Sequence, residues 1–288
     1  MRIYTGESFA DVYKESLKDL LTNPDYESSP RGMACKEIID ATLVIDNPIL
    51  GTYKNERRGS QYKYIAAEFL WYFLGRNDVA FIEKFASFWK QIQNEDGTVN
   101  SAYGSLLFLP SASNGASQYE WAINSIIKDK DTRQAVMHFN LPKHQRYTNK
   151  DFVCTMYGNF HVRDNKLHFS IKMRSNDAIL GTATDIAFFT MLHQQAFLHL
   201  KKTYPELEMG KYTHIVDSYH IYERHFDLVK EMLEKDFEAE SIGTLTTSLI
   251  KKDAKPSDAL EELYNKYNNE DKQSNNDCEV YNFILENI

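Results

Sequence analysis

The centre of the chain constrains the fold most. FVCTMYGNFHV and KLHFSIKMRS alternate apolar and polar residues on either side of Arg163-Asp164-Asn165-Lys166. Alternation of period two reads as strands with one buried face, and Asp-Asn is acceptable two-residue turn chemistry. If Arg163 pairs with Lys166, Cys154 falls opposite Ser175 and next to Arg174. Residues 184–203, TDIAFFTMLHQQAFLHLKKT, then read as a long helix. A sheet with long helices packed on it is an α+β fold, and no repeat or clear boundary divides the chain.

The flanks agree. Residues 7–22 read as an amphipathic helix with Phe9, Val12, Tyr13, Leu17 and Leu20 on one stripe. DYESSPRG reads as a polar loop, and KEIIDATLVIDNP as a strand or strand pair ending at Pro48. The segment 61–75 is a strongly apolar helix with Gly75 placed to end it. Further helices are expected at 80–94 and 117–129, and a strand at 134–140. THIVDSYHIY reads as a strand and RHFDLVKEMLEK as a helix. Composition shifts to Lys, Asp, Asn, Glu and Gln from Lys251. The expected division is a catalytic domain over 1–250 and a polar extension over 251–288, with a helix capped by Ser257 and a mobile polar segment.

A net charge of -8 argues against direct binding to duplex nucleic acid, which needs neutralised phosphates. It leaves room for a small anion held by a few arginines. Cys35, Cys154 and Cys278 are odd in number and widely spaced. No disulfide framework or zinc pair is expected, which points to a reducing, cytoplasmic setting. No stretch reads as a signal peptide or membrane span.

Several residues carry chemistry beside a bland reading. Glu68 lies in YIAAEFLWYFLG, where burial raises a carboxyl pKa toward that of a general acid or base. The bland reading is a structural glutamate with a partner. Cys154 is a strand cysteine, most simply a small core hydrophobe. An adjacent Arg174 would depress its pKa and make it a nucleophile, but strict alternation puts Arg174 on the other face unless the strand bulges. RSNDAILGTATD reads as a loop with Arg174, Ser175, Asp177 and Asp185. His220 and Tyr222, two apart on a strand, face one side together. No phosphate loop, dinucleotide fingerprint or metal motif is present, and His214, His220 and His225 lack metal-ligand spacing.

In order, these segments resemble the thymidylate synthase superfamily. The matching pieces are SSPRG around Arg31, AAEFLWYFLG around Glu68, Trp89 fourteen residues before Tyr103, DTR ending in Arg133, the strand with Cys154, RSND, GTATD and DSYHIY. The resemblance covers about residues 7 to 232. It implies a three-layer α/β/α fold, dimerising through a large twisted mixed sheet. Cys154 would add to C6 of a pyrimidine nucleotide. Methylenetetrahydrofolate would be co-substrate, without a metal. Glu68, Asp185 and Tyr103 would act at the base, with Glu68 organising water and proton transfer. Arg31, Arg174 and Ser175 would hold the phosphate, joined by Arg133 from the partner subunit of a homodimer. His220 and Tyr222 would bind the sugar hydroxyl, while Trp89, Asp177 and Glu68 would line the folate site.

Of three departures from the synthase pattern, those at Thr155 and Ile92 resemble the phage deoxycytidylate hydroxymethylases, as does MRSND read as a unit. Asp185 stands where synthases read uracil with an asparagine. A carboxylic acid can accept from the cytosine amine and donate to N3, and a carboxylate can bind an N3-protonated ring. Thr155 replaces a histidine and Ile92 a tryptophan. In those enzymes water captures the exocyclic methylene, and the smaller Ile92 would help to admit it. The implied substrate is dCMP, with CMP or dUMP, or thymidylate synthesis, as alternatives. A silent binding paralogue has no need of Cys154, Glu68 and Arg174 together. Gln134 stands in place of a second partner-borne arginine and removes one phosphate contact. A phage source would place the enzyme in the host cytoplasm.

Overall fold

A computed structural model describes residues 1–111, 114–274 and 276–288. The chain opens with β1 (Arg2–Gly6), α1 (Phe9–Thr22), β2 (Tyr26–Ser28), β3 (Cys35–Ile45) and β4 (Thr52–Lys54). Helices α2 (Tyr62–Phe73), α3 (Val79–Ile82), α4 (Phe88–Ile92), α5 (Tyr103–Phe108) and α6 (Gln118–Lys128) follow. Then β5 (Val136–His138), β6 (Thr155–Arg163), β7 (Lys166–Met173) and β8 (Asn176–Asp177) lead into α7 (Thr182–Lys201). β9 (Glu208–Tyr222), α8 (Phe226–Leu233), β10 (Glu238–Glu240), α9 (Asp258–Asn268) and α10 (Glu279–Asn287) come last.

The main sheet runs β1-β3-β9-β7-β6-β5, with β2 added to β3 and β8 to β9. It is mixed: β1–β3, β7–β9 and β8–β9 are parallel, the other pairs antiparallel. The expected α+β fold is therefore the one observed. At the hairpin tip Arg163 pairs with Lys166. Asp164 and Asn165 both take positive φ, 47° and 59°, as the primed turn of a tight hairpin requires. The alternation delivers Leu167, Phe169, Ile171 and Met173 to the core. Helix α7 packs on β7 and β9 with one side and on α2 and α6 with another. That two-sided burial explains why it is apolar nearly all round. Helix α1 starts at a capping box, in which Ser8 accepts from the Asp11 N–H and the Asp11 carboxylate accepts from that of Ser8.

Several elements differ from the sequence reading. The helix expected at 80–94 is two short ones, α3 and α4. Their separation sets Phe81 beside Phe85 and Trp89 beside Trp71. The polar loop after α1 contains β2, because its backbone pairs with β3. Cys154 lies just before β6 rather than within a strand. Ser257 does cap α9, accepting from Leu260 N. The polar segment beyond it carries α10, whose Val280, Tyr281, Ile284 and Leu285 form one buried stripe, and α10 packs on α2. Between β10 and α9 the chain is pinned to α7. Gln194 and Gln195 accept from Leu245 N and Leu249 N, and His199 meets Ser248 and the Ile250 carbonyl.

Candidate active site

The register of the hairpin decides where the cysteine sits. It runs evenly from Arg163–Lys166 to Tyr157–Lys172, then shifts by one residue before Thr155. This is the bulge that direct contact between Cys154 and Arg174 requires. Arg174 N donates to Cys154 O at 2.9 Å, and Arg174 Nη2 reaches Cys154 Sγ at 3.5 Å. The same guanidinium donates to the carbonyls of Phe152 and Val153 and lies over the Phe152 ring, 4.7 Å from its centroid. The electrostatic outcome differs from expectation. Neighbouring groups crowd the Cys154 thiol, and this desolvation raises its pKa; Arg174 and Arg31 oppose the rise without cancelling it, while Asp185 and Asp151 add to it.

Glu68 projects from α2 into a buried polar pocket. Tyr64 and Tyr72, one turn before and after it, donate to its Oε1 at 2.5 and 3.2 Å. Trp89 Nε1 in turn donates to Tyr64 Oη at 3.0 Å. Burial outweighs these bonds and lifts the Glu68 pKa to about 8. Tyr103 opens α5 and stacks on Tyr72, with centroids 5.4 Å apart. The two helices can approach so closely because Gly104 faces the backbone of Tyr72: a Cβ at Gly104 would lie 1.8 Å from the Tyr72 carbonyl oxygen.

Asp185 occupies the first turn of α7, and Asn176 Nδ2 donates to its Oδ2 at 2.8 Å. Burial raises its pKa to about 7, against the pull of hydrogen bonds from Asn176 and Tyr103. Asp177 pairs in register with His220, so β8, absent from the sequence reading, brings RSND to β9. Asp177 Oδ1 accepts from Ile179 N and Leu180 N, whereas Oδ2 is buried without a partner. His220 and Tyr222 do share a face, their rings 5.1 Å apart. Ser175 lies between β7 and β8, directly after Arg174. Arg31 is exposed in a left-handed conformation, φ 54°, within a turn over Pro30–Gly32. Arg133 is exposed on the loop between α6 and β5 and makes no hydrogen bond to the other site residues described.

Residues from α2, α5, α7 and the β6–β7 bulge thus converge around one thiol and two carboxyls with pKa values near neutrality. The sequence reading overlooked Tyr64, Tyr72 and Asn176. The two tyrosines had a signal, since they sit at i−4 and i+4 from Glu68 on one helix. The Thr155 hydroxyl, beside the cysteine, is buried and unpartnered. Among the described residues no group of three or more His, Cys, Asp or Glu is placed to hold a metal ion, and no helix is long and apolar enough to cross a membrane.

A family model described as thymidylate synthase matches residues 11–273. The chain belongs to the thymidylate synthase family. Its curated relatives include a deoxycytidylate 5-hydroxymethyltransferase of Enterobacteria phage T6, 28% identical over 82% of this chain and 91% of that protein. A deoxyuridylate hydroxymethyltransferase of Bacillus phage SP01 is 30% identical over 77% of this chain and 59% of its own length. Thymidylate synthase 1 of Bacillus spizizenii is 26% identical over 80% and 86%. A solved thermostable thymidylate synthase A from Bacillus subtilis shares the fold, with a TM-score of 0.66 at 22% identity, covering 81% of this chain and 86% of that one. Family and relatives together make the protein a transferase of the thymidylate synthase type.

Proposed function

We propose that the enzyme transfers a one-carbon unit to C5 of deoxycytidylate and that water captures it, giving 5-hydroxymethyl-dCMP and tetrahydrofolate. The observation that carries this reading is Asp185, a half-buried, desolvated carboxyl whose pKa of about 7 lets it hold a proton near neutrality. A protonated carboxyl can donate to N3 of cytosine while accepting from the amine at C4. A uracil ring reverses both demands and leaves buried polar groups unpaired. The phage T6 relative is named for the same substrate.

The chain's own groups divide the work. Cys154 Sγ, as thiolate, forms a bond to C6 and moves electron density to C5. Arg31, Arg174 and Ser175 hold the phosphate, and Arg133 joins them from the partner of a homodimer. The dimer uses the sheet face away from α7, where Thr42, Ser170, Lys172 and Thr213 are only half-buried. His220 and Tyr222 bind the sugar hydroxyl. Tyr64 and Tyr72 converge on Glu68 Oε1, so its proton sits on Oε2, and a pKa of about 8 suits it to exchange that proton with water near C4 and C5. Tyr103 holds Asp185 against the ring. Loss of the C5 proton and expulsion of the thiolate restore the aromatic base and free Cys154.

Methylenetetrahydrofolate supplies the one-carbon unit at the oxidation level of formaldehyde. The residues present fit it: the buried, unpartnered Asp177 Oδ2 is an acceptor suited to the N–H groups of a pterin, and Trp89 supplies an aromatic wall. The phage SP01 relative supports a second reading, a uracil-directed hydroxymethylase. One experiment separates them. The protein is incubated with methylenetetrahydrofolate and dCMP, CMP or dUMP, and product mass and dihydrofolate absorbance are followed. Hydroxymethyl-dCMP without dihydrofolate is expected. Release of the C5 hydrogen from dUMP but not dCMP defeats the proposal.

A further inference from the structure

A buried line of hydrogen bonds runs behind Asp185. Asn176 Nδ2 donates to Asp185 Oδ2 at 2.8 Å. Asn176 Oδ1 accepts from Thr182 Oγ1 at 2.7 Å and lies 3.0 Å from His214 Nε2. His214 Nδ1 lies 2.8 Å from Tyr212 Oη. Asn176, Thr182, Tyr212 and His214 are all buried.

The chemistry gives the line one direction. An amide oxygen only accepts, so His214 Nε2 carries the hydrogen. Desolvation lowers the His214 pKa to about 3, so the ring is neutral and its Nδ1 is bare. The Tyr212 hydroxyl therefore donates to Nδ1. Turning the amide over would reverse each step and put a hydrogen on Nδ1. The phenolic proton of Tyr212 would then have no acceptor among the described residues, a costly loss in a buried group. Gly181 supplies the clearance. A Cβ there would lie 2.9 Å from Asn176 Nδ2 and 3.1 Å from Asp185 Oδ2.

We propose that Asn176, oriented by His214 and Tyr212, is a positioning residue that commits Asp185 Oδ2 to accepting hydrogen bonds and so sets the site for cytosine against uracil. This rests on the reading that Asp185 faces the pyrimidine. With Oδ2 held by the amide, any proton on Asp185 belongs to Oδ1, where it meets N3. The second lone pair of Oδ2 takes the amine at C4. Uracil places O4 against that acceptor, and a proton moved to Oδ2 to serve O4 confronts the N–H of Asn176. The device disfavours the wrong base as well as favouring the right one.

The test measures kcat/KM for dCMP and dUMP in wild type, Asn176→Leu, His214→Leu, His214→Gln and Gly181→Ala. Loss of one hydrogen bond to a charged or proton-sharing carboxyl is expected to lower the dCMP-to-dUMP ratio about ten- to a hundredfold in both leucine variants. His214→Gln, which retains an N–H toward Asn176, is expected to keep most of the ratio. Gly181→Ala separates Asn176 from Asp185 without removing either and guards against a misfolded leucine variant. A merely structural role lowers both substrates alike, and an unchanged ratio in the leucine and Gly181→Ala variants overturns the proposal. If wild type ignores dCMP, the proposed function fails, and carboxyl-labelled aspartate NMR decides this inference separately. The Asp185 midpoint, read with Tyr64, Glu68, Tyr72, Tyr103, Cys154 and Tyr212 as its titratable neighbours, should rise in Asn176→Leu. A midpoint that stays fixed sinks the inference.

Discussion

Replacing Glu68 by glutamine should stabilise the folded protein while destroying its activity, and the gain should grow with pH. Burial raises the Glu68 pKa to about 8, far above the ordinary 4.5. Below about pH 4.5 the carboxyl is neutral in both folded and unfolded chains, and it carries no penalty. As pH rises the unfolded chain ionises Glu68 while the folded chain keeps it protonated. Each pH step in this window removes about 1.4 kcal/mol from folding stability. The loss reaches roughly 3 kcal/mol at pH 7 and levels off near 5 kcal/mol above pH 8. Glutamine has no such titration, and its side-chain oxygen can still accept from both Tyr64 and Tyr72, whose hydroxyls meet Oε1 in the wild type. The difference in unfolding free energy between Glu68→Gln and wild type, from urea titrations between pH 4 and 9, should therefore be small at pH 4 and climb to a plateau above pH 8. Other titrating groups largely cancel in that difference, except Asp185, whose charge is coupled to Glu68. A difference that is flat with pH, or one that favours wild type at pH 8, would refute the assignment of a buried, protonated Glu68.

Three further outcomes are expected. Arg174→Ala removes the main group that opposes the raised pKa of Cys154, so the pH midpoint of iodoacetamide alkylation, mapped to the Cys154 peptide, should move upward. Gly104→Ala drives a methyl group into the Tyr72 carbonyl and should cost at least about 3 kcal/mol, lowering Tm by roughly 6–12 °C in a thermal melt. Ile92→Trp fills a half-buried position at the end of α4 and should shift product from hydroxymethyl toward methyl, read by mass and by dihydrofolate absorbance; an unchanged partition removes Ile92 from the account of water access.

The elements that were legible in the sequence are those whose signals are local. The Asp-Asn turn demanded two positive φ values, and the hairpin formed at that point. The stripe on α1 and the Ser257 cap depend on residues three or four apart. The bulge at Met156, between Thr155 and Tyr157, carries no local mark. Alternation through Met156 looks unbroken, and the shift becomes visible only when Cys154 and Arg174 are seen bonded across strands. Helix α10 was hidden by its Asn- and Glu-rich surroundings, although Val280, Tyr281, Ile284 and Leu285 already formed a stripe.

The candidate site divides along the same line. Glu68 and Cys154 could be singled out because residue type and neighbours constrain their chemistry. The balance of forces on them could not be read, since burial is a property of the assembled core. Arg174 does adjoin Cys154, yet crowding of the thiol outweighs it and the pKa rises. Asp185 shows the limit most sharply. In the role proposed for it, its identity distinguishes cytosine from uracil only if its two oxygens are made unequal. What makes them unequal is a line from Tyr212 and His214 on β9 through Asn176 on β8 to α7, joining residues as many as 38 positions apart. On the proposed function, base preference belongs to a carboxyl and to the sheet that orients it, and replacing Asp185 by asparagine alone should leave the site with an amide whose orientation is set by a partner built for an acceptor.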